Sequence, residues 1–428
     1  MNRIILVGNG FDLAHNVPTS YKDFINWYWE ERWERMVSSR SLVDDDNLCY
    51  LKLKPGIIYK SWKEYDSYNH LGHRFSASER IDFVKKDNGT CEFKTLPLLS
   101  AILQSVDKKG WVDIENEYYK ILVSTKHKNG DRIEFLSSLN NQLGFLREKL
   151  TEYLSSLEYK ISDSDESVRM LRQQLLQPIS PNDIAVSSHA LLNDFIEARA
   201  EYDDDTWAAL LGRYNQCEVY SRMCEAKSVA EKVKSQKAKG QRTYTFKEYE
   251  LENFMVPEKI LLLNFNYTTI ADGYMPREQI FKVNHIHGVL SDRDSVIFGY
   301  GDELDKDYQT LRDANENEYL RNIKSVKYLE SDNYRKLLEF MSSAPYQIYI
   351  MGHSCGNSDR TLLNTLFEHE NCVSIKPFYY AKYDGTDNYL DIIQNISRNF
   401  TDMKIMRDRV VNKKFCMPLP QMKVIDDK

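Results

Sequence analysis

The sequence predicts an α/β protein: a Rossmann-like, doubly wound and mainly parallel sheet carrying a large α-helical insertion. Three observations point there. Short apolar runs alternate with turns and helical stretches at both ends of the chain, as in a parallel sheet whose strands are connected by helices. A central stretch instead repeats its apolar residues at helical spacing. Glycine is scarce, 17 of 428 residues, yet Gly8, Gly10, Gly288, Gly299, Gly301, Gly352 and Gly356 gather in four short segments, most of them next to an apolar run.

The first strand is Arg3 to Val7, apolar and β-branched, ending in Gly8-Asn9-Gly10, after which Asp12 onward reads as a helix start. The strand pattern resumes near Lys259 with Ile260 to Phe265, Gln279 to Val283, Val296 to Phe298, Gln347 to Met351, Val373 to Tyr380 and Met403 to Met406. Between these ends, Leu136, Leu139, Leu143, Leu146, Leu150, Tyr153 and Leu157 step by three and four, an amphipathic seam that packs within the chain or between copies. Trp111, Ile114 and Tyr118 share a face opposite Asp113 and Glu117, and all six tryptophans lie between Trp27 and Trp207. The expected division is therefore residues 1–33 as the first strand and helix of the core, 34–255 as a helical insertion domain, and 256–428 as the rest of the core.

Composition narrows the class. With 42% hydrophobic and 28% charged residues the chain reads as a soluble globular protein. Ile4 to Val7 follows one arginine and is broken by Gly8, too short for a signal or spanning segment, so a cytoplasmic protein with no membrane partner is expected. A net charge of −7 disfavours nucleic-acid binding by bulk electrostatics. Acidic Glu201 to Asp205 precedes a lysine-rich stretch from Lys227 to Arg242, which reads either as a basic face for a partner or as a solvated helix. The seven cysteines form no C-x-x-C pair, which argues against a zinc module and for reduced thiols.

Four segments can carry chemistry. Gly8-Asn9-Gly10 sits between strand and helix, where missing side chains let phosphate oxygens approach backbone N–H groups, and Asp12 either grips a ribose hydroxyl or serves as a first-turn acid. Asn264 and Asn266 end an apolar strand at its carboxyl edge, two apart and so facing one way. His285 and His287 follow another strand and can face one side; the readings are a general base, a metal pair completed by His353 or a carboxylate, or structural imidazoles, and no metal is expected. Gly352-His353-Ser354-Cys355-Gly356 fits G-x-S-x-G, the nucleophile elbow of α/β-hydrolases. The chain order fails for a triad, since only His369 follows Ser354 and the candidate acids Asp384, Asp387, Asp391 and Asp402 lie beyond it. A tight turn that brings backbone to a ligand is the more economical reading, with Asp359 capping the next helix or binding a hydroxyl.

Taken together, Gly8-Asn9-Gly10-Phe11-Asp12 with Pro18-Thr19-Ser20, Asn264-Phe265-Asn266-Tyr267-Thr268, His285-Ile286-His287-Gly288, Phe298-Gly299-Tyr300-Gly301-Asp302 and Gly352-His353-Ser354 through Asp359 resemble the bacteriophage abortive-infection AbiH family. That family is in turn distantly similar to the sirtuin-like NAD-binding fold of several antiphage NAD hydrolases. The resemblance implies a dinucleotide loop at Gly8 and Gly10, a ribose-orienting asparagine at Asn266, a base at His287, and nucleotide contacts from Gly352 and Ser354; Asn9, Asp12, Asn264, His285 and Asp359, from the residues themselves, complete the expected binding set. Asn9 and Asp12 depart from the loop's small and hydroxyl residues, and the absent cysteine module argues against protein deacetylation.

The implied function is an antiphage abortive-infection protein that hydrolyses NAD or a related nucleotide, with Asn266 and His287 catalytic, a phage-derived protein as trigger and a homo-oligomer as a further partner. Two readings from other classes stand beside it. One is a nucleotide-binding sensor without chemistry, acting through protein contacts of the helical insertion; the other is a serine hydrolase using Ser354.

Overall fold

In the computed structural model, which describes residues 1–39, 41–53, 91–109, 113–127, 132–159, 161, 165–214, 216–276 and 280–422, the apolar runs from the two ends of the chain join one sheet. In chain order the described strands are β1 (Asn2–Val7), β2 (Val43–Asp45), β3 (Cys49–Leu53), β4 (Cys91–Thr95), β5 (Ile260–Asn264), β6 (Phe281–His285), β7 (Tyr346–Met351) and β8 (Cys372–Phe378). Five of them form a sheet of order β6-β5-β1-β7-β8, and every neighbouring pair is parallel. β1, β5, β7 and β8 are buried at every position, which is why their sequences run apolar rather than alternating.

Register decides where the loops go. Val7 pairs with both Asn264 and Met351, and Asn264 pairs with His285, so four strands end level and release their following loops at one edge. The chain steps from β1 out to β5 and β6, then returns to the other side of β1 for β7 and β8. Parallel sheets place ligands beyond the carboxyl ends of their strands at such a reversal.

Two compact units divide the chain. The first comprises Met1–Val17, Tyr159–Val296 and Tyr328–Lys428 and contains the five-stranded sheet. Its helical part buries Trp207 and Phe254 with Ile179, Val256 and Val373 in one apolar cluster. The lysine-rich helix Val219–Ala238 lies here, and its charges are matched: Lys227 pairs with Asp204, Lys232 with Glu250, Lys234 with Glu201 and Glu231, and Lys237 with Glu197. The pairing of these four lysines with carboxylates is what a solvated helix shows.

The second unit comprises Pro18–Glu158 and Ile297–Lys327. Helix Arg132–Ser156 buries Leu136, Leu139, Leu143, Leu146, Leu150 and Tyr153, so the leucine seam is a packing face within the chain. The stretch from Phe298 to Asp302 belongs to this unit: Tyr300 stacks on Tyr119 at 3.8 Å, and the Gly299 N–H donates to Glu115, which pairs at 3.0 Å with buried Lys324. Stretch 34–255, expected as one helical insertion, is thus shared between the two units, and it is not purely helical, because β2, β3 and β4 form an antiparallel sheet. Trp111 and Gln279 lie outside the described residues.

Three further expectations are corrected. Met403 to Met406 belongs to helix Met403–Arg409, started by Asp402, whose side chain accepts from the Lys404 N–H; two methionines three apart suit a helix face as well as a strand. Val296 to Phe298 is buried but pairs with no strand among the described residues, a case where a short apolar run marks a buried loop. The first helix spans Asn9–Ala14 and begins after extended Gly8, earlier than Asp12.

Candidate functional site

The loops after β1 and β7 meet backbone to backbone. The Gly10 N–H donates to Gly352 O at 2.8 Å, and the Phe11 N–H donates to Gly8 O at 2.8 Å. A Cβ on Gly8 would fall 2.6 Å from His353 Cα, and one on Gly10 would fall 2.8 Å from Gly352 O. At Gly352 the clash would be with Phe11 N at 2.0 Å, and its φ of +76° is itself a glycine conformation. These glycines are therefore needed for loop-on-loop contact, a demand that sequence spacing alone does not separate from close approach by a phosphate. Asn9 and Ser354 remain exposed at the edge of this contact.

From β5 the chain delivers Asn264, Asn266 and Thr268 to the same place. Buried Asn264 spends both ends of its side chain on the turn, accepting from the Asn266 N–H at 2.9 Å and donating to Thr268 O at 3.0 Å. The expectation that Asn264 and Asn266 face one way is corrected: the strand ends at Asn264, so alternation stops there. Half-buried Asn266 donates from Nδ2 to Gly8 O at 3.1 Å and to Asp12 Oδ1 at 2.9 Å. Both partners are acceptors, which fixes the amide orientation and leaves Oδ1 with no hydrogen bond among the described residues.

Asp12 accepts from Thr268 Oγ at 2.6 Å as well as from Asn266. Burial pushes its carboxyl from 3.8 up to about 7, against the pull of these two donors. The neutral acid is the form the fold favours. As pH rises from about 4 to about 7 the unfolded chain releases this proton while the folded chain holds it, so the group's stabilising contribution is full at low pH and is lost across that window. The loss is on the order of 4 kcal/mol at most. Asp12→Asn keeps an acceptor for Asn266 and supplies a donor for Thr268 while removing the charge. Urea denaturation is expected to find the variant equal to wild type near pH 4 and more stable at pH 8; a variant weaker at pH 8 contradicts this.

The histidines do not act as a pair. His285 Nε2 lies 2.9 Å from Asp272 Oδ2, whereas His287 turns into the cluster, its Nε2 3.1 Å from Tyr328 Oη and 3.2 Å from Asp359 Oδ1. β6 ends at His285, so the two-residue alternation that would align the rings no longer applies. The other oxygen of Asp359 faces His353 Nε2 at 3.6 Å, and the Phe265 ring packs against both His353 and His287. Asp359 thus spans two imidazoles and makes no side-chain bond to the helix start, which corrects its expected capping role. His353 Nδ1 accepts the Cys355 N–H at 3.0 Å, so in the neutral ring Nε2 carries the proton and offers no lone pair toward Asp359 for a metal to share.

Ser354 lacks the surroundings of an activated nucleophile. Its Oγ has no hydrogen bond among the described residues, and His369 packs on Tyr346 at the opposite end of β7. The left-handed positions of the loop are Gly352 and Cys355, with φ +76° and +53°, not the serine. Burial raises the Cys355 thiol well above its usual range. Buried Asn399 donates to Cys355 O at 2.8 Å and Asn395 donates to Ser354 O at 2.8 Å, holding the loop in shape.

Asn266, Asp12, Gly8, Gly10, Gly352, His287 and Asp359 are therefore joined through one contact network within the first unit, while His285 faces away from it. Tyr328, Thr268, Asn395 and Asn399 complete the cluster without having been singled out by the sequence as binding or catalytic, together with His353, named there only as a possible metal ligand. Thr268 lies in a quoted motif, but nothing local marks Tyr328. Among the described residues no helix is long and apolar enough to cross a membrane, and no group of three or more His, Cys, Asp or Glu is arranged to hold a metal.

Residues 4–380 match the family model described as bacteriophage abortive infection AbiH. No curated protein and no solved structure matches the chain.

Proposed function

The chain belongs to the bacteriophage abortive infection AbiH family, and from that membership we propose that it is an antiphage protein whose nucleotide site cleaves the nicotinamide–ribose bond of NAD or a related nucleotide on infection. The order of its parallel strands, with β1 central and the chain reversing beside it, is read here as a doubly wound, Rossmann-like core, and the loop cluster at its carboxyl edge is where such a core binds nucleotides.

One observation carries the reading. Asn266 is clamped by Gly8 O and Asp12 so that its unspent Oδ1 is fixed in a half-buried position, and the preceding Phe265 packs its ring against His287, a histidine held by a carboxylate. Cleavage of a pyridinium–ribose bond passes through an oxocarbenium-like state and asks the protein mainly for orientation and a proton acceptor. Asn266 Oδ1 accepts a hydrogen bond from the ribose hydroxyl or the attacking water. The water oxygen bonds to the ribose carbon, the carbon–nitrogen bond breaks with its electron pair leaving on neutral nicotinamide, and His287 takes the water's proton. Asp359 orients the imidazole. Because burial pushes the Asp12 carboxyl up to about 7, it carries less negative charge toward a nearby pyrophosphate at neutrality than a free carboxylate would.

A phage-derived protein is the proposed trigger, and loss of the NAD pool would halt the host before phage mature. The test is incubation of pure protein with NAD, ATP and GTP separately, with and without phage lysate, followed by chromatography. Nicotinamide from the NAD reaction is expected. Intact NAD in both conditions, with the nucleotide bound, would favour a non-catalytic sensor instead.

A further inference from the structure

We infer that Arg398, acting with Ser354, is a phosphate-recognising arm of this site, so that its ligands are phosphate-bearing nucleotides rather than nucleosides. The inference rests on the nucleotide-site reading above and adds the ligand class.

Arg398 ends helix Tyr389–Arg398, in the same unit as the loop cluster. One turn back, Asn395 donates from Nδ2 to Ser354 O at 2.8 Å, and the Arg398 Nη1 donates to Asn395 Oδ1 at 2.5 Å. The guanidinium is thus tethered through a single side chain to the backbone of Ser354. It is exposed and has no ion pair among the described residues, unlike Lys413 with Asp387 or Lys232 with Glu250 in the same unit. Ser354, whose carbonyl this tether reaches, is exposed, and its hydroxyl is likewise unspent.

An unspent hydroxyl and a guanidinium with most of its five N–H donors uncommitted, both carried by this tethered loop and helix end, are donor groups that suit a tetrahedral oxyanion. The loop that presents them is rigid, because Asn399, fully buried, holds Cys355 O while Asn395 holds Ser354 O. Remote binding of this kind would anchor the phosphates while Asn266 addresses the ribose.

Calorimetric titration of the full chain with inorganic pyrophosphate, AMP and adenosine tests the assignment. Wild type is expected to bind pyrophosphate and to prefer AMP over adenosine. Arg398→Gln should weaken pyrophosphate and AMP by about tenfold or more and leave adenosine unchanged, with Arg398→Lys between the two. If the enzyme turns over NAD, Arg398→Gln raises KM and leaves kcat. Equal pyrophosphate binding by wild type and Arg398→Gln, or none by wild type, overturns the inference. Arg398-dependent pyrophosphate binding without any NAD cleavage would leave this inference standing and remove the catalytic reading; NAD cleavage with unchanged KM in Arg398→Gln would do the reverse.

Discussion

Gly352→Ala destabilises the protein by about 3 kcal/mol or more, whereas Gly356→Ala on the same loop costs less than about 1 kcal/mol. The difference comes from what each new methyl would meet. At Gly352 a Cβ falls 2.0 Å from Phe11 N and 2.6 Å from Gly10 C, backbone atoms that cannot rotate aside, and φ is +76°. At Gly356 the nearest atom is Ser354 Oγ at 3.6 Å, ordinary contact. Gly8→Ala and Gly10→Ala should fall between, since they meet His353 Cα at 2.6 Å and Gly352 O at 2.8 Å. Urea midpoints of the four variants check the ranking. A Gly352→Ala midpoint equal to that of Gly356→Ala would mean that the loops after β1 and β7 do not touch as described, and the cluster would lose its frame.

Asn266→Ala and His287→Ala each lower nicotinamide release by about 100-fold or more while the protein stays folded. Asn266 is half-buried, so removing its amide leaves Gly8 O and Asp12 Oδ1 without one donor each, a cost of about 1–3 kcal/mol that a domain of ordinary stability survives. The expected loss of turnover exceeds what that destabilisation explains, because in the proposed reaction Oδ1 is the acceptor for the ribose hydroxyl or water. Asn266→Asp separates structure from chemistry: it restores an acceptor but sets a carboxylate against Asp12, so its stability should fall from pH 5 to pH 8 more steeply than that of wild type. Circular dichroism alongside the release assay distinguishes an inactive fold from an inactive site.

Much of this arrangement is legible in the sequence. β1, β5 and β7 announce themselves as apolar runs bounded by Gly8, Asn264 and Gly352, because a strand buried on both faces needs no polar alternation. Convergence followed from the same pattern, since level strand ends bring their loops together whatever the length of chain between them. What stayed hidden is where alternation stops. Asn264 and Asn266, and again His285 and His287, look like matched pairs two residues apart, yet each strand ends at the first member and the second turns to different partners. Met403 and Met406 failed as a strand because a short apolar run carries no period of its own. Tyr328 could not have been found locally: it reaches His287 across 41 residues, and only the folded chain pairs them. The double use of Asp359 by His287 and His353 is hidden for the same reason.

The most direct test of the central claim follows nicotinamide chromatographically in matched reactions of wild type, Asn266→Ala and His287→Ala with NAD and phage lysate. Release by wild type alone, with both variants folded, is the predicted outcome. Equal release by all three, or folded wild type that binds NAD and leaves it intact under infection conditions, would contradict the assignment of this cluster as a hydrolytic nucleotide site.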